Sequence, residues 1–107
     1  MEDKLRGILG LARRAGKITF GSDAAVRDIN EGRAGVVVIA RDISVRTERI
    51  IQAACRQNGS KIVKVPLDKL ELGHAIGRGE TAIAAVTDKA FSARVLEICR
   101  DITGGIC

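Results

Sequence analysis

Leu5, Ile8, Leu9 and Ala12 recur at i, i+3, i+4 and i+7, which places four apolar side chains on one stripe of a helix. Arg13 and Arg14 follow, where cations suit the negative end of a helix dipole, and Gly16 ends the run. Lys17 to Phe20 then reads as a short strand. Gly21-Ser22 breaks it, and Ser22 is the expected N-cap of a second helix reaching about Glu31. Asp23 falls in the first turn of that helix, and Ala25, Val26 and Ile29 form its predicted buried stripe. Gly32 and Gly35 flank the exit.

The pattern changes at Val36-Val37-Val38-Ile39-Ala40. A β-branched run that is apolar at every position predicts a strand covered on both faces. Arg41-Asp42-Ile43 is the loop at its end, and Ser44 is placed to cap a third helix with the stripe Thr47, Ile50, Ile51, Ala54 and Cys55. Asn58-Gly59 stops that helix. Ile62 to Val65 is a third strand, closed by the single proline, Pro66. Asp68 with Glu71 three residues on has the spacing of a capping box and starts a short helix through Ala75. Gly77 to Glu80 is a loop, and Thr81 to Val86 a fourth strand. Thr87-Asp88 caps a last helix with Phe91, Val95, Ile98 and Ile102 on one face. The tail, residues 104–107, is expected to fray.

Helices alternating with short strands predict an α/β chain, a three-layer α/β/α sandwich around a small four-stranded mixed sheet. With 107 residues there is room for one such domain, spanning residues 1–103. Aromatics make up 2% of the chain, so the core must be built from Ile, Val, Leu and Ala. The same shortage argues against a module that stacks single-stranded bases on exposed rings.

Charge narrows the class of partner. A formal net charge of +5, with twelve of eighteen basic residues being Arg, favours a polyanion. Cys55, Cys99 and Cys107 are widely spaced and there is one His, so no metal site and no cofactor is expected. Cys55 and Cys99 read as small core residues, and Cys107 as a terminal free thiol. Reduced thiols and an N-terminus without a signal sequence lead to the expectation of a cytoplasmic protein with no membrane partner.

Nucleotide motifs fail on inspection. A P-loop needs Gly where Leu11 stands and Ser or Thr where Ile18 stands. Gly77-Arg78-Gly79-Glu80-Thr81-Ala82 matches a dinucleotide fingerprint by letters, but it leads into a strand instead of following one into a helix. His74 lacks an orienting acid and nucleophile and reads as a structural or surface residue. Glu80 beside Arg78 reads as a charge pair within the loop. An enzyme is not expected.

Three loops remain as the candidate site. They are Phe20-Gly21-Ser22-Asp23 with Arg27 one turn on; Ala40-Arg41-Asp42-Ile43 with Arg46 beyond; and Arg78-Gly79-Glu80-Thr81. A helix start presents unpaired N–H groups and partial positive charge, which suits a phosphate. Loops at one end of an α/β sheet can converge on a ligand.

The segments Gly16-Lys17-Ile18-x-x-Gly21-x-Asp23-x-x-x-Arg27, the Val-rich strand ending in Ala40-x-Asp42, and Leu72-Gly73-x-Ala75-x-Gly77 resemble the kink-turn RNA-binding ribosomal protein superfamily. The type is "L seven Ae / L thirty e", and the bacterial YlxQ-type branch is the nearest match. The resemblance covers about Leu5 to Ile98. It implies a three-layer α/β/α fold that binds kinked double-stranded RNA. The expected partner is structured RNA, ribosomal RNA included, and the protein is expected to be a monomer. Gly21 would let backbone approach the RNA, and Ser22, Asp23 and Ala24 would face tandem sheared G·A pairs. Arg27 would take the basic position on the same helical face, and the loop from Arg78 to Thr81 would pack against a flipped-out base. The chain departs from the pattern at Asp23, where an amide or basic residue is usual, at Ala24, where Glu or Gln is usual, and at Phe20, often basic. Those departures motivate the alternative of a protein-interaction module that kept the fold and lost specific RNA binding.

Overall fold

The computed structural model describes residues 2–103. Among them, five helices alternate with four strands: α1 (Glu2–Arg14), β1 (Ile18–Phe20), α2 (Ser22–Asn30), β2 (Val36–Ile39), α3 (Val45–Asn58), β3 (Lys61–Lys64), α4 (Lys69–Ala75), β4 (Ile83–Val86) and α5 (Lys89–Thr103). The expectations for the side chain of Ile102, for Cys107 and for the tail at 104–107 fall outside the described residues.

The strands form one sheet in the order β1-β4-β2-β3. β4 runs antiparallel to both β1 and β2, pairing Ile83 with Ile39 and Val86 with Ile18. β2 and β3 are parallel, with Val38 opposite Val63. The sheet is therefore mixed, as the alternating pattern predicts.

Side-chain alternation along the central strands splits the core in two. Val36, Val38, Ala84 and Val86 point to one face and meet Leu5 and Leu9 of α1, Leu72 of α4 and Val95 of α5. Val37, Ile39, Ile83 and Ala85 point to the other and meet Ala25 and Ile29 of α2 and Ile51 and Cys55 of α3. All four residues of β2 and of β4 are buried, which is why β2 carries no polar residue. The result is the three-layer sandwich.

The capping chemistry mostly follows the sequence. Ser44 Oγ accepts from Thr47 N at 3.2 Å, and α3 ends at Gly59. Asp68 and Glu71 complete a reciprocal capping box at α4, each side chain accepting from the other's backbone N–H at 2.8 and 2.9 Å. Asp88 Oδ2 accepts from Phe91 N at 2.9 Å.

Three expectations are corrected. Ser22 is not the N-cap of α2 but its first residue; Gly21 holds the cap position, with no side-chain bond to the helix start among the described residues. Ile50 is exposed on α3 instead of buried, because the tighter stripe Ile51, Ala54 and Cys55 already meets the sheet. Val26 is half-buried, and the charged Asp28 is buried on α2 together with Ala25 and Ile29.

Candidate nucleic-acid interface

The C-terminal end of β1 delivers Phe20 and Gly21 to the edge of the sheet. Gly21 N donates to Ile83 O at 3.1 Å, which ties the turn to the start of β4. Gly21 has φ 92° and ψ 155°, a conformation that side-chain-bearing residues avoid. A Cβ there would meet nothing within 4 Å among the described residues, so the space in front of this glycine is open. With no side-chain cap, the first N–H groups of α2 are left without a capping partner beside that space.

The loop between α4 and β4 supplies the opposite wall. Arg78 N donates to Gly73 O at 2.8 Å, and Thr81 N donates to Lys69 O at 3.0 Å, so α4 holds the loop at both ends. Thr81 is buried, and its Oγ1 donates to Gly79 O at 3.0 Å. Gly73 is the reason the loop can lie so close. A Cβ on it would overlap the carbonyl group of Gly79, with the carbonyl carbon 2.7 Å away.

The two walls enclose an open cleft of about 380 Å³ lined by Phe20, Gly21, Ser22, Arg78, Thr81 and Ile83 among others. Across it, the Arg78 guanidinium lies 3.7 Å from the centroid of the Phe20 ring, and that of Arg13 lies 5.3 Å away. Arg78 forms no ion pair with Glu80 among the described residues, which corrects the expected loop charge pair. Its planar cation lies over the half-buried ring instead, an arrangement worth about 0.5–1 kcal/mol at an exposed site. The sequence names Phe20 and Arg78 in separate candidate loops, but not their pairing; partners 58 positions apart leave no local signal.

The remaining candidates are placed as follows. Asp23 is exposed on the first turn of α2 and Ala24 is half-buried there; neither lines the cleft. Arg27 is exposed further along α2. The Arg41 and Asp42 loop lies at the same end of the sheet, since Ala40 N donates to Ala82 O at 2.9 Å. Both of its charged side chains are engaged at the start of α4. Asp42 Oδ1 accepts from Lys69 N at 2.9 Å, and Arg41 stands 3.6 and 3.8 Å from Asp68 and Glu71. Arg46 is exposed on the first turn of α3 and outside the cleft. Gly79 and Glu80 are exposed on the loop, and His74 is exposed on α4.

Asp28 is a further residue that positions the site. Its carboxylate accepts from Thr19 Oγ1 at 2.6 Å and from Arg33 Nε and Nη2 at 3.1 and 2.7 Å. Burial opposes its ionisation, but the Thr19 hydroxyl and the Arg33 guanidinium outweigh burial and hold the carboxyl below its ordinary range. Arg33 also pairs with Glu31. The network fixes α2 against β1 on either side of Gly21.

Among the described residues, no group of three or more His, Cys, Asp and Glu side chains is placed to hold a metal ion. No described helix is long and apolar enough to cross a membrane.

Residues 3–97 match the model of the ribosomal protein L7Ae/L30e/S12e/Gadd45 family. The chain belongs to that family. Within the L7Ae/L30e/S12e/Gadd45 proteins it falls with the YlxQ-type branch. It is 33% identical over 95 residues to the RNA-binding protein YlxQ of Bacillus subtilis, covering 85% of this chain and 90% of that one. Among solved structures, it superimposes with a TM-score of 0.85 on a Bacillus halodurans protein of unknown function at 25% identity, covering 89% and 95% of the two chains. It also resembles the 15.5kD RNA binding protein of Giardia lamblia, with a TM-score of 0.77, 24% identity and coverage of 98% and 89%. That second likeness bears on the fold.

Proposed function

We propose that this chain is a small RNA-binding protein without catalytic activity that recognises structured RNA of the kink-turn kind, with ribosomal RNA its partner. The observation that carries the reading is the cleft between the α2 start and the 78–82 loop. The uncapped start of α2 lies on one side, and a planar guanidinium that crosses to the Phe20 ring lies on the other. Membership of a ribosomal protein family, and relatives described as RNA-binding, support RNA as the polyanion.

The chemistry favours shape over letters. Gly21 lets an RNA backbone come close to the N–H groups of Ser22, Asp23 and Ala24. Ala24 offers no side-chain hydrogen bond to a guanine edge, and Asp23 repels a phosphate unless the strand approaches from the glycine side. Arg78 presents a flat cation against which an extruded base can stack. Arg27, exposed on the face it shares with Asp23, adds an ordinary phosphate contact.

Titrating the protein with a kinked RNA duplex carrying tandem sheared G·A pairs, and with a fully paired duplex of equal length, tests this reading. The kinked RNA is expected to bind at least about tenfold tighter, or about 1.4 kcal/mol. Equal affinity for the two, with a steep dependence on salt, would leave only charge-driven association.

A further inference from the structure

A second cleft, between α1 and α4, is lined by Arg6, Gly10, Arg13, Arg14, His74 and Gly77 among others. Its volume, about 380 Å³, matches that of the first. The α1 residues are spaced at i, i+4, i+7 and i+8, so three arginines stand along one helical face around a bare glycine. Gly10 lets the two helices approach, since a Cβ there would lie 3.2 Å from Ala75 O.

No carboxylate lines this cleft among the described residues. Glu71 stands beside it and engages Arg6 Nη2 at 3.1 Å, which holds that side chain across the α1–α4 junction. Arg13 and Arg14 form no ion pair among the described residues. Three neighbouring cations with one acid between them repel one another, and a polyanion relieves that repulsion. Arginine's planar fork fits a phosphate better than a lysine would.

The cleft neighbours the first through the Phe20 ring. Arg13 lines it and reaches the Phe20 ring, and Gly77 lines it next to Arg78, which covers the same ring. We propose that the α1–α4 cleft carries the phosphodiester backbone of the RNA strand leaving the first cleft. The footprint then runs from the α2 start, past Phe20, to Arg14. This inference rests on the RNA reading of the first cleft.

Arg14 is the residue for the test, because it is exposed and takes no part in the Phe20 stack or the Glu71 contacts. Arg14→Glu, with Arg14→Gln as a variant milder to the helix end, is compared with wild type on two kinked RNAs. One is confined to the kink and its closing pairs, and the other is extended by a helical turn on each side. The expected result is about tenfold weaker binding of the long RNA by Arg14→Glu, a salt slope lower by about one to two, and unchanged binding of the short RNA. No change on the long RNA, or the same loss on both, overturns the proposal. If wild type does not prefer kinked to straight RNA, the reading of the first cleft fails. In that case the footprint proposed here, which begins in the first cleft, is overturned with it.

Discussion

The guanidinium of Arg78 lies 3.7 Å from the centre of the Phe20 ring, joining the end of β1 to the loop after α4. On the proposed reading the two residues act as one platform. Phe20→Leu keeps an apolar side chain against the core and removes the ring, at a stability cost under about 1.5 kcal/mol. Arg78→Lys keeps the charge and removes the plane. Each is expected to weaken RNA binding several-fold in a titration, and the double variant to be little worse than either single one.

Gly73 lies beneath the same loop, and its substitution acts from below. Gly73→Ala would overlap the Gly79 carbonyl, so the loop must shift or α4 must move. A loss of about 1–3 kcal/mol in denaturant unfolding is expected, together with loss of RNA binding greater than the residual fold explains. An unchanged unfolding midpoint would contradict the close approach.

Gly21 is constrained by its backbone and not by crowding. Gly21→Ala is expected to cost about 1–3 kcal/mol of stability although no atom stands in the methyl's way. Chemical denaturation of the two proteins measures it directly.

Asp28 makes stability depend on pH. Its folded-state pKa is lowered, so its contribution is fully present above the unfolded carboxyl's pKa and is lost as pH falls through the folded value. Asp28→Asn is expected to destabilise the protein at neutral pH by about 1–3 kcal/mol. It should also flatten the decline in melting temperature on acidification.

Much of the fold is legible in the sequence because the local signals agree. The run Val36 to Ala40 announces a strand covered on both faces, and Asp68 with Glu71 announces a helix start; both form as read. Ser22 misled because a serine after a glycine looks like a cap. The unusual φ of Gly21 instead takes the chain into the helix one residue earlier. Asp28 was invisible because a buried carboxylate needs partners that only the tertiary structure supplies, here Thr19 and Arg33. The site was half legible. Gly21 and Arg78 could be named as candidates, but the stack of Arg78 on Phe20 is a contact across the sheet edge. Arg41 and Asp42 are candidates in the sequence, and the structure engages both at the start of α4.

Backbone amide shifts recorded during addition of a kinked RNA test the central claim most directly. The largest changes are expected at Gly21 to Ala24 and at Arg78 to Ala82, with α3 beyond Arg49 and the exposed face of α5 unmoved. Changes centred on α3 or α5, with the Gly21 and Arg78 amides unmoved, would contradict the account.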